Sequence, residues 1–314
     1  MRTDVRRVAL VGAGVIGNAW AAHLLAHGLE VAVTDPAPDA EERLLRDVER
    51  ALPVLARLGL DTDGWQDRLS FTGDLGKAVE GAAFVQENAP ERDDVKAAIF
   101  AELDALVPPD VVVASSSSSM LPSRLASMCA RHPERVVVGH PFNPVYLVPL
   151  VEVVGSPDTP SGVVDAAMAF YAGVGKRPVH VRQEVPGHLA NRLQAALWRE
   201  AYSLVERGVA TVADLDAAIS NGPGLRWALL GPVANQHLSG GDGGLAHVLA
   251  HLGPPTQALM DDLGAPQLTP QLAETLVAGV HDELGGIDVA TLAAERDALL
   301  VGLLAAKARS EVLP

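Results

Sequence analysis

The chain of 314 residues is short of several things, and each shortage removes a class of function. Its one cysteine, Cys129, excludes an internal disulfide and any cysteine-built metal cluster. Aromatic residues make up 4%, so an aromatic-lined pocket must be built from few rings. Basic residues number 24 against 39 acidic ones. The resulting net charge of -15 disfavours a broad nucleic-acid or anionic-membrane surface, while leaving room for a local anion site. No uninterrupted apolar run approaches the ~20 residues of a membrane span. The opening MRTDVRRVALVGAG passes straight into an expected strand and glycine turn, leaving no stretch for a cleavable leader. There is no solenoid-type repeat. Together these features point to a cytoplasmic protein, and 48% hydrophobic residues suffice for at least one large core and commonly two domains.

What the chain does have begins at Val8 to Val11, an apolar run followed at once by GAGVIG. A helix fits Val15 to Ala26, and Leu29 to Asp35 reads as a second strand ending in an acidic residue. Strand, tight turn, helix, strand and carboxylate form the context that a dinucleotide-binding glycine pattern requires. Gly12 permits the turn, Gly14 lets the backbone approach a pyrophosphate, and Gly17 permits helix-on-strand packing. Val15 and Ile16 open the helix whose N-terminus receives the phosphates, so they join the cofactor candidates. Asp35 is placed to accept from the ribose hydroxyls and to repel a 2'-phosphate, which favours NAD over NADP.

Further on, a helix is expected over Asp39 to Leu58, a short strand at Leu69 to Thr72, another at Gly81 to Gln86, and a helix over Asp93 to Leu106. Glu87, Asn88 and Lys96 lie at or just beyond a strand end, where a doubly wound fold places its ligand. Lys96 can anchor a carboxylate or pyrophosphate, or be an ordinary solvated lysine. After a strand at Asp110 to Ala114 comes SSSSSMLPS. Ser123 suits the cap of a helix from Leu125 to Arg131, and Ser118 or Ser119 can reach a substrate from the strand end. No GxSxG elbow accompanies the serines.

The most chemically loaded stretch is VVVGHPFNPVYLVPLVEVVG, Val136 to Gly155. Two apolar strands flank a loop stiffened by Pro141, Pro144 and Pro149 and carrying His140, Asn143 and Tyr146. Glu152 stands alone in its apolar strand, where an ionised carboxylate needs a partner. A chain reversal brings His140 beside it. A histidine base oriented by a carboxylate is what alcohol oxidation by a nicotinamide enzyme needs. Asn143 can hold the alcohol oxygen or the histidine. The remaining histidines show no metal-ligand spacing, and no metal is assigned.

A helix follows to about Ala172, then Lys176 to Arg182 reads as a strand, possible as an antiparallel edge. From Pro186 the chain turns to helical patterns, including Gly244 to Leu252, Pro270 to Glu283 and Asp288 to Ala308. The expected organisation is an α/β Rossmann-type dinucleotide-binding domain over residues 1–185, followed by an all-α domain over residues 186–314. In the helical part, Asn191, Arg192 and Arg226 are candidates for contacting substrate.

These residues resemble the 3-hydroxyacyl-CoA dehydrogenase family over nearly the whole chain. His140, Phe142, Asn143 and Pro144 match its His-x-Phe-Asn-Pro segment, and Glu152 matches its catalytic glutamate. Ser118 matches its substrate-side serine, Asn191 its Gly-x-x-x-Asn-Arg-Leu asparagine, and Glu87, Asn88 and Lys96 its Glu-Asn-and-lysine motif. The resemblance implies reversible NAD-dependent oxidation of an L-3-hydroxy acid to a 3-oxo acid, with His140 as base, Glu152 as its orienter and Ser118, Asn143 and Asn191 assisting. It also implies a homodimer made by the helical substrate-binding domain. ALWREA and RDALLVG are similar to the family's small-substrate carnitine 3-dehydrogenase branch, while VERGVATVADLD and NRLQ also suit its L-gulonate 3-dehydrogenase branch. A quaternary ammonium substrate wants aromatic walls, for which Tyr146, Trp198 and Trp227 are candidates, with Arg226 as a carboxylate clamp. A CoA-thioester substrate and a silent, crystallin-like NAD-binding role are the alternatives.

Overall fold

The computed structural model describes Met1 and residues 4–313. It divides into two units, 1–192 and 193–314, with the division falling inside one helix. The first unit opens with β1 (Arg7–Val11), α1 (Val15–Ala26), β2 (Glu30–Thr34) and α2 (Ala40–Arg57). It continues with β3 (Leu69–Thr72), α3 (Leu75–Val79), β4 (Phe84–Glu87), α4 (Asp93–Leu106), β5 (Val112–Ser115) and α5 (Pro122–Ala126). Then come β6 (Val136–Pro141), β7 (Leu150–Gly155), α6 (Ser161–Gly173), β8 (Arg177–His180) and the start of α7 (Ala190–Glu206).

All eight strands join one sheet in the order β3-β2-β1-β4-β5-β6-β7-β8. The central strands read as continuous Val/Ala/Leu runs because both faces are covered. One face packs Trp20, Leu24, Leu44, Leu55, Phe170 and Tyr171 from α1, α2 and α6. The other packs Val79, Phe100, Leu103 and Leu125 from α3, α4 and α5. The first six strands are parallel, and the order reverses between β1 and β4, which opens a crevice at their carboxyl ends.

The expected Rossmann-type unit followed by helices is therefore present, with three local differences. β8 is parallel to β7 rather than antiparallel. β7 itself runs against β6, and the crossover through α6 returns the chain in β7's own direction. The helix expected at Leu125 to Arg131 is instead one short turn, Pro122–Ala126. Pro122 sets its start, and the N–H groups of Ala130, Arg131 and His132 are drawn to the Asp104 carboxylate instead of continuing a helix. The helix expected to stop at Leu252 runs on to Asp262 through Pro254 and Pro255.

The second unit contains the rest of α7, then α8 (Val212–Ser220), α9 (Pro223–Trp227), α10 (Pro232–Ser239), α11 (Gly244–Asp262), α12 (Pro270–Leu284) and α13 (Val289–Ala308). Thr211, Thr269 and Asp288 cap three of these helices with their side chains. Among its described residues the only buried apolar side chains are Val248, Leu272 and Val301. No helix of the chain is long and apolar enough to cross a membrane among the described residues.

The loop between β6 and β7 is held from below by Lys176. Its ammonium is buried, donates to the carbonyls of Val145 and Val148, and lies 5.2 Å over the Trp20 ring. Burial pushes its pKa down to about 7. The folded chain thus gives up this proton at lower pH than the unfolded chain does. Between about pH 7 and the ordinary lysine range near 10, the unfolded state binds more protons, so this group makes stability rise with pH. Lys176→Met should flatten that part of the stability profile, measured by urea unfolding across the range. An unchanged slope in the variant would contradict the assignment.

Candidate active site

Strand pairing assembles the centre of the site. In the antiparallel β6–β7 pair His140 stands opposite Glu152, so their side chains emerge on the same face. Nδ1 of His140 lies 3.0 Å from Oε2 of Glu152. The other carboxylate oxygen, Oε1, accepts the N–H groups of Leu189 and Ala190, each at 2.8 Å, where α7 begins. Both side chains are buried, Glu152 to 1% exposure. Burial opposes its ionised form, but the bonds from His140, Ala190 and Leu189 outweigh that and hold its pKa below the usual carboxylate value. An ionised carboxylate only accepts, so Nδ1 of His140 is the donor, and in the neutral imidazole Nε2 carries the lone pair. Phe142 packs edge-on against His140 at 4.8 Å between ring centroids. Gly139, just before His140, faces the Tyr171 hydroxyl, and a Cβ there would meet it at 1.9 Å.

The serine run lies over the end of β5 and is organised by a residue that sequence reasoning missed. Glu91 accepts from Ser117 Oγ at 3.0 Å, the Ser118 N–H at 3.2 Å and Ser119 Oγ at 3.4 Å. The only hint in the sequence was its place after Pro90, just beyond the end of β4. Ser118 is half-buried, and the carbonyl of its neighbour Ser117 lies 3.3 Å from Nε2 of His188. The His188 ring stands 5.4 Å from that of His140. Ser117 thus ties the serine run, through His188, to the neighbourhood of His140. Asn143 is exposed and joined to Pro144 by a cis peptide bond, Tyr146 packs partly buried against the core, and Asn191 is half-buried in the first turn of α7. Trp198, Arg226 and Trp227 belong to the second unit. There Trp198 lines a cavity of about 450 Å³ with Tyr202, Leu215, Asp216, Leu276 and His281, and Arg226 and Trp227 are exposed on α9.

The crevice at the β1/β4 switch forms a cavity of about 810 Å³ lined by Gly12, Gly14, Asp35, Arg43, Asn88 and Ala89 among others. It lies at the switch point of the sheet over the glycine loop, the place where a fold of this kind receives a dinucleotide. Gly12 has φ 101°, and a Cβ on it would meet the Asn88 backbone at 2.8 Å. A Cβ on Gly17 would lie 1.9 Å from the Gly12 carbonyl oxygen, while Gly14 opens onto free space and Val15 is 68% exposed beside it. Ile16 is half-buried in the same turn. Asp35 accepts the N–H of Ala13 with one oxygen and that of Ala37 with the other, both at 2.8 Å. The carboxylate expected to read the ribose therefore also braces the glycine loop, and each oxygen retains a lone pair for a hydroxyl.

Glu87 and Lys96 turn inward. Glu87 is 0% and Lys96 1% exposed, and Nζ lies 2.8 and 2.9 Å from the two carboxylate oxygens. The Ala89 N–H and Ser115 Oγ also donate to Glu87. The ammonium is neither a solvated lysine nor free to anchor a ligand anion. With Glu87 it fixes the Asn88–Ala89 turn that lines the crevice.

Comparison with known proteins agrees with this geometry. Residues 7–185 match the family model described as 3-hydroxyacyl-CoA dehydrogenase, NAD binding domain, and residues 187–285 match the corresponding C-terminal domain. A protein of Streptomyces coelicolor named L-carnitine dehydrogenase is 52% identical, covering 98% of this chain and 96% of its own. One of the same name from Streptomyces griseus is 50% identical, covering 98% and 91%. The crystal structure of 5-formyl-3-hydroxy-2-methylpyridine 4-carboxylic acid 5-dehydrogenase, an NAD+-dependent dismutase, superposes with a TM-score of 0.84 at 32% identity, covering 98% of this chain and 100% of its own.

The buried pair beneath the crevice yields a stability test. Lys96→Met leaves the Glu87 carboxylate buried without its countercharge and should cost about 3–5 kcal/mol. Adding Glu87→Gln to the same chain should recover much of the loss. Chemical unfolding of both variants checks this, and a near-neutral single variant would show that the pair is not the main support of the turn.

Proposed function

The chain belongs to the 3-hydroxyacyl-CoA dehydrogenase family, and on that premise we propose that it is an L-carnitine 3-dehydrogenase with His140 as its base. That it is an NAD-dependent dehydrogenase of a hydroxyl-bearing carbon follows from the family itself. The choice of L-carnitine is supported by the names of relatives at 50 and 52% identity. The mechanistic reading is supported by one observation, the buried His140–Glu152 pair, which turns Nδ1 to the carboxylate.

Nε2 of His140 takes the proton of the substrate hydroxyl as the secondary alcohol becomes a ketone. Glu152, ionised and held by three donors, stabilises the imidazolium that forms. NAD, when bound, supplies the hydride acceptor. The glycine loop and the first turn of α1 hold its pyrophosphate through Gly12, Gly14, Val15, Ile16 and Gly17, while Asp35 accepts from the ribose. Ser118, Asn143 and Asn191 orient the hydroxyl. By residue chemistry alone, Tyr146, Trp198 and Trp227 are candidates for the trimethylammonium and Arg226 for the carboxylate. In the opposite direction the same residues return the proton.

We also infer a cytoplasmic homodimer. A lone thiol suits a reducing compartment. Among the described residues of the helical unit three apolar side chains are buried, while Leu225, Leu259, Leu299 and others are more than half exposed, a surface that a second copy would cover.

The proposal is tested by NADH formation with L-carnitine, L-gulonate, 3-hydroxybutyrate and 3-hydroxybutyryl-CoA side by side. L-carnitine should give the highest kcat/KM, and a higher value for any of the others would replace it. NADP should be used far less well than NAD. His140→Ala should lower kcat by about 10²- to 10⁴-fold with NAD affinity retained, and Glu152→Gln by that much or less. A folded His140→Ala protein with near-normal turnover would remove it from the mechanism.

A further inference from the structure

His188 is the one described residue other than glycine with a left-handed backbone, φ 52°, and it is fully buried. That conformation is unfavourable for a residue with a side chain and needs holding contacts. Its N–H donates to the Val185 carbonyl at 3.1 Å, and its ring reaches the Ser117 carbonyl through Nε2 and stands against the His140 ring. The turn it makes sends the next two N–H groups, of Leu189 and Ala190, onto Glu152.

The protonation state of this ring follows from its partners. A carbonyl only accepts, so the proton sits on Nε2. Nδ1 is buried without a hydrogen-bond partner. A second proton there would bury an unpaired N–H and place a cation beside His140. Burial lowers the pKa of His188 below the ordinary histidine value, against the pull of the Ser117 bond and helped by the nearness of the His140 ring, beside which a second positive charge is disfavoured. Glu152 and Glu91 oppose the shift weakly.

We propose that His188 is a positioning residue, a neutral imidazole that ties the serine run to His140 and to the turn on Glu152 so that Ser118 stays in register with the base. This rests on the reading of His140 as base. Ser118 follows directly after the tethered Ser117 carbonyl, so losing the tether displaces the serine relative to the hydroxyl it orients. The backbone at His188 and the ring of His188 thus serve both ends of the same site.

Three variants separate the possibilities. His188→Gln keeps a neutral donor near the Nε2 position, His188→Phe keeps a ring without the donor, and His188→Gly relieves the backbone and removes the ring. With L-carnitine and NAD, the Phe and Gly variants should lose about 10- to 100-fold in kcat, the scale of a misplaced reactant. NAD affinity should stay unchanged, and the Gln variant should recover most of the rate. A folded Phe or Gly variant with wild-type kcat, or a Gln variant no better than Phe, overturns the proposal. A purely structural histidine would instead lower the melting temperature while leaving the kcat of the folded protein intact. Should the wild-type protein fail to oxidise L-carnitine, the functional reading falls, and ¹⁵N NMR still decides this one. An Nε2–H tautomer at His188, with the Ser118 amide displaced in Phe and Gly and restored in Gln, supports the tether. An Nδ1–H tautomer or an unmoved Ser118 amide overturns it.

Discussion

A carboxylate stripped of water needs donors, and the site is built around meeting that need for Glu152. It receives a ring N–H across the sheet from His140 and two backbone N–H groups from the start of α7. To bring the ring alongside, β7 must run against β6 in an otherwise parallel sheet. To bring the backbone donors, the chain must bend sharply at Gly187 and His188, both with positive φ. Removing the charge would take away the common partner of these two features.

The same logic recurs around the sheet, where buried ions hold irregular backbone rather than one another alone. Glu87 and Lys96 clamp the turn at Asn88 and Ala89. Asp104 gathers three successive N–H groups, and Arg135 donates to the carbonyls of Leu103, Val107 and Pro108 at the end of α4. Each of these groups is costly to bury, and each is held at least in part by hydrogen bonds to backbone at the end of an element. The hydrophobic layers fix the sheet, and these ions fix the loops over its edge.

Much of this was legible in the residues. The strand–glycine–helix–strand opening, the helix over Asp93 to Leu106 and the facing of His140 by Glu152 follow from periodicity and from an isolated carboxylate in an apolar strand. What escaped was settled by which groups meet once the chain is folded. Lys96 looks like any helix lysine until Glu87 is found beneath it, nine residues away. Glu91 looks like a solvated loop residue until three serine groups turn toward it. The direction of β8 depends on the reversal of β7, which no local pattern encodes. The left-handed turn at His188 has no signature in side-chain type, because a glycine stands just before it and takes the expectation of flexibility for itself.

The hairpin of β6 and β7 has a consequence for how the site comes into being. His140 and Glu152 are only 12 residues apart, so the loop that must close to join them carries little entropy cost. The crevice for the dinucleotide, by contrast, gathers Gly12, Asp35 and Asn88 from three separate crossovers. The facing of carboxylate and imidazole is therefore a short-range property of one contiguous segment, completed from farther off by the two backbone donors at the start of α7. Ligand capture is a long-range one that exists only when the whole sheet does. Substitutions scattered through the unit can degrade capture from many places, whereas the pairing of acid and imidazole is exposed chiefly to changes within one hairpin.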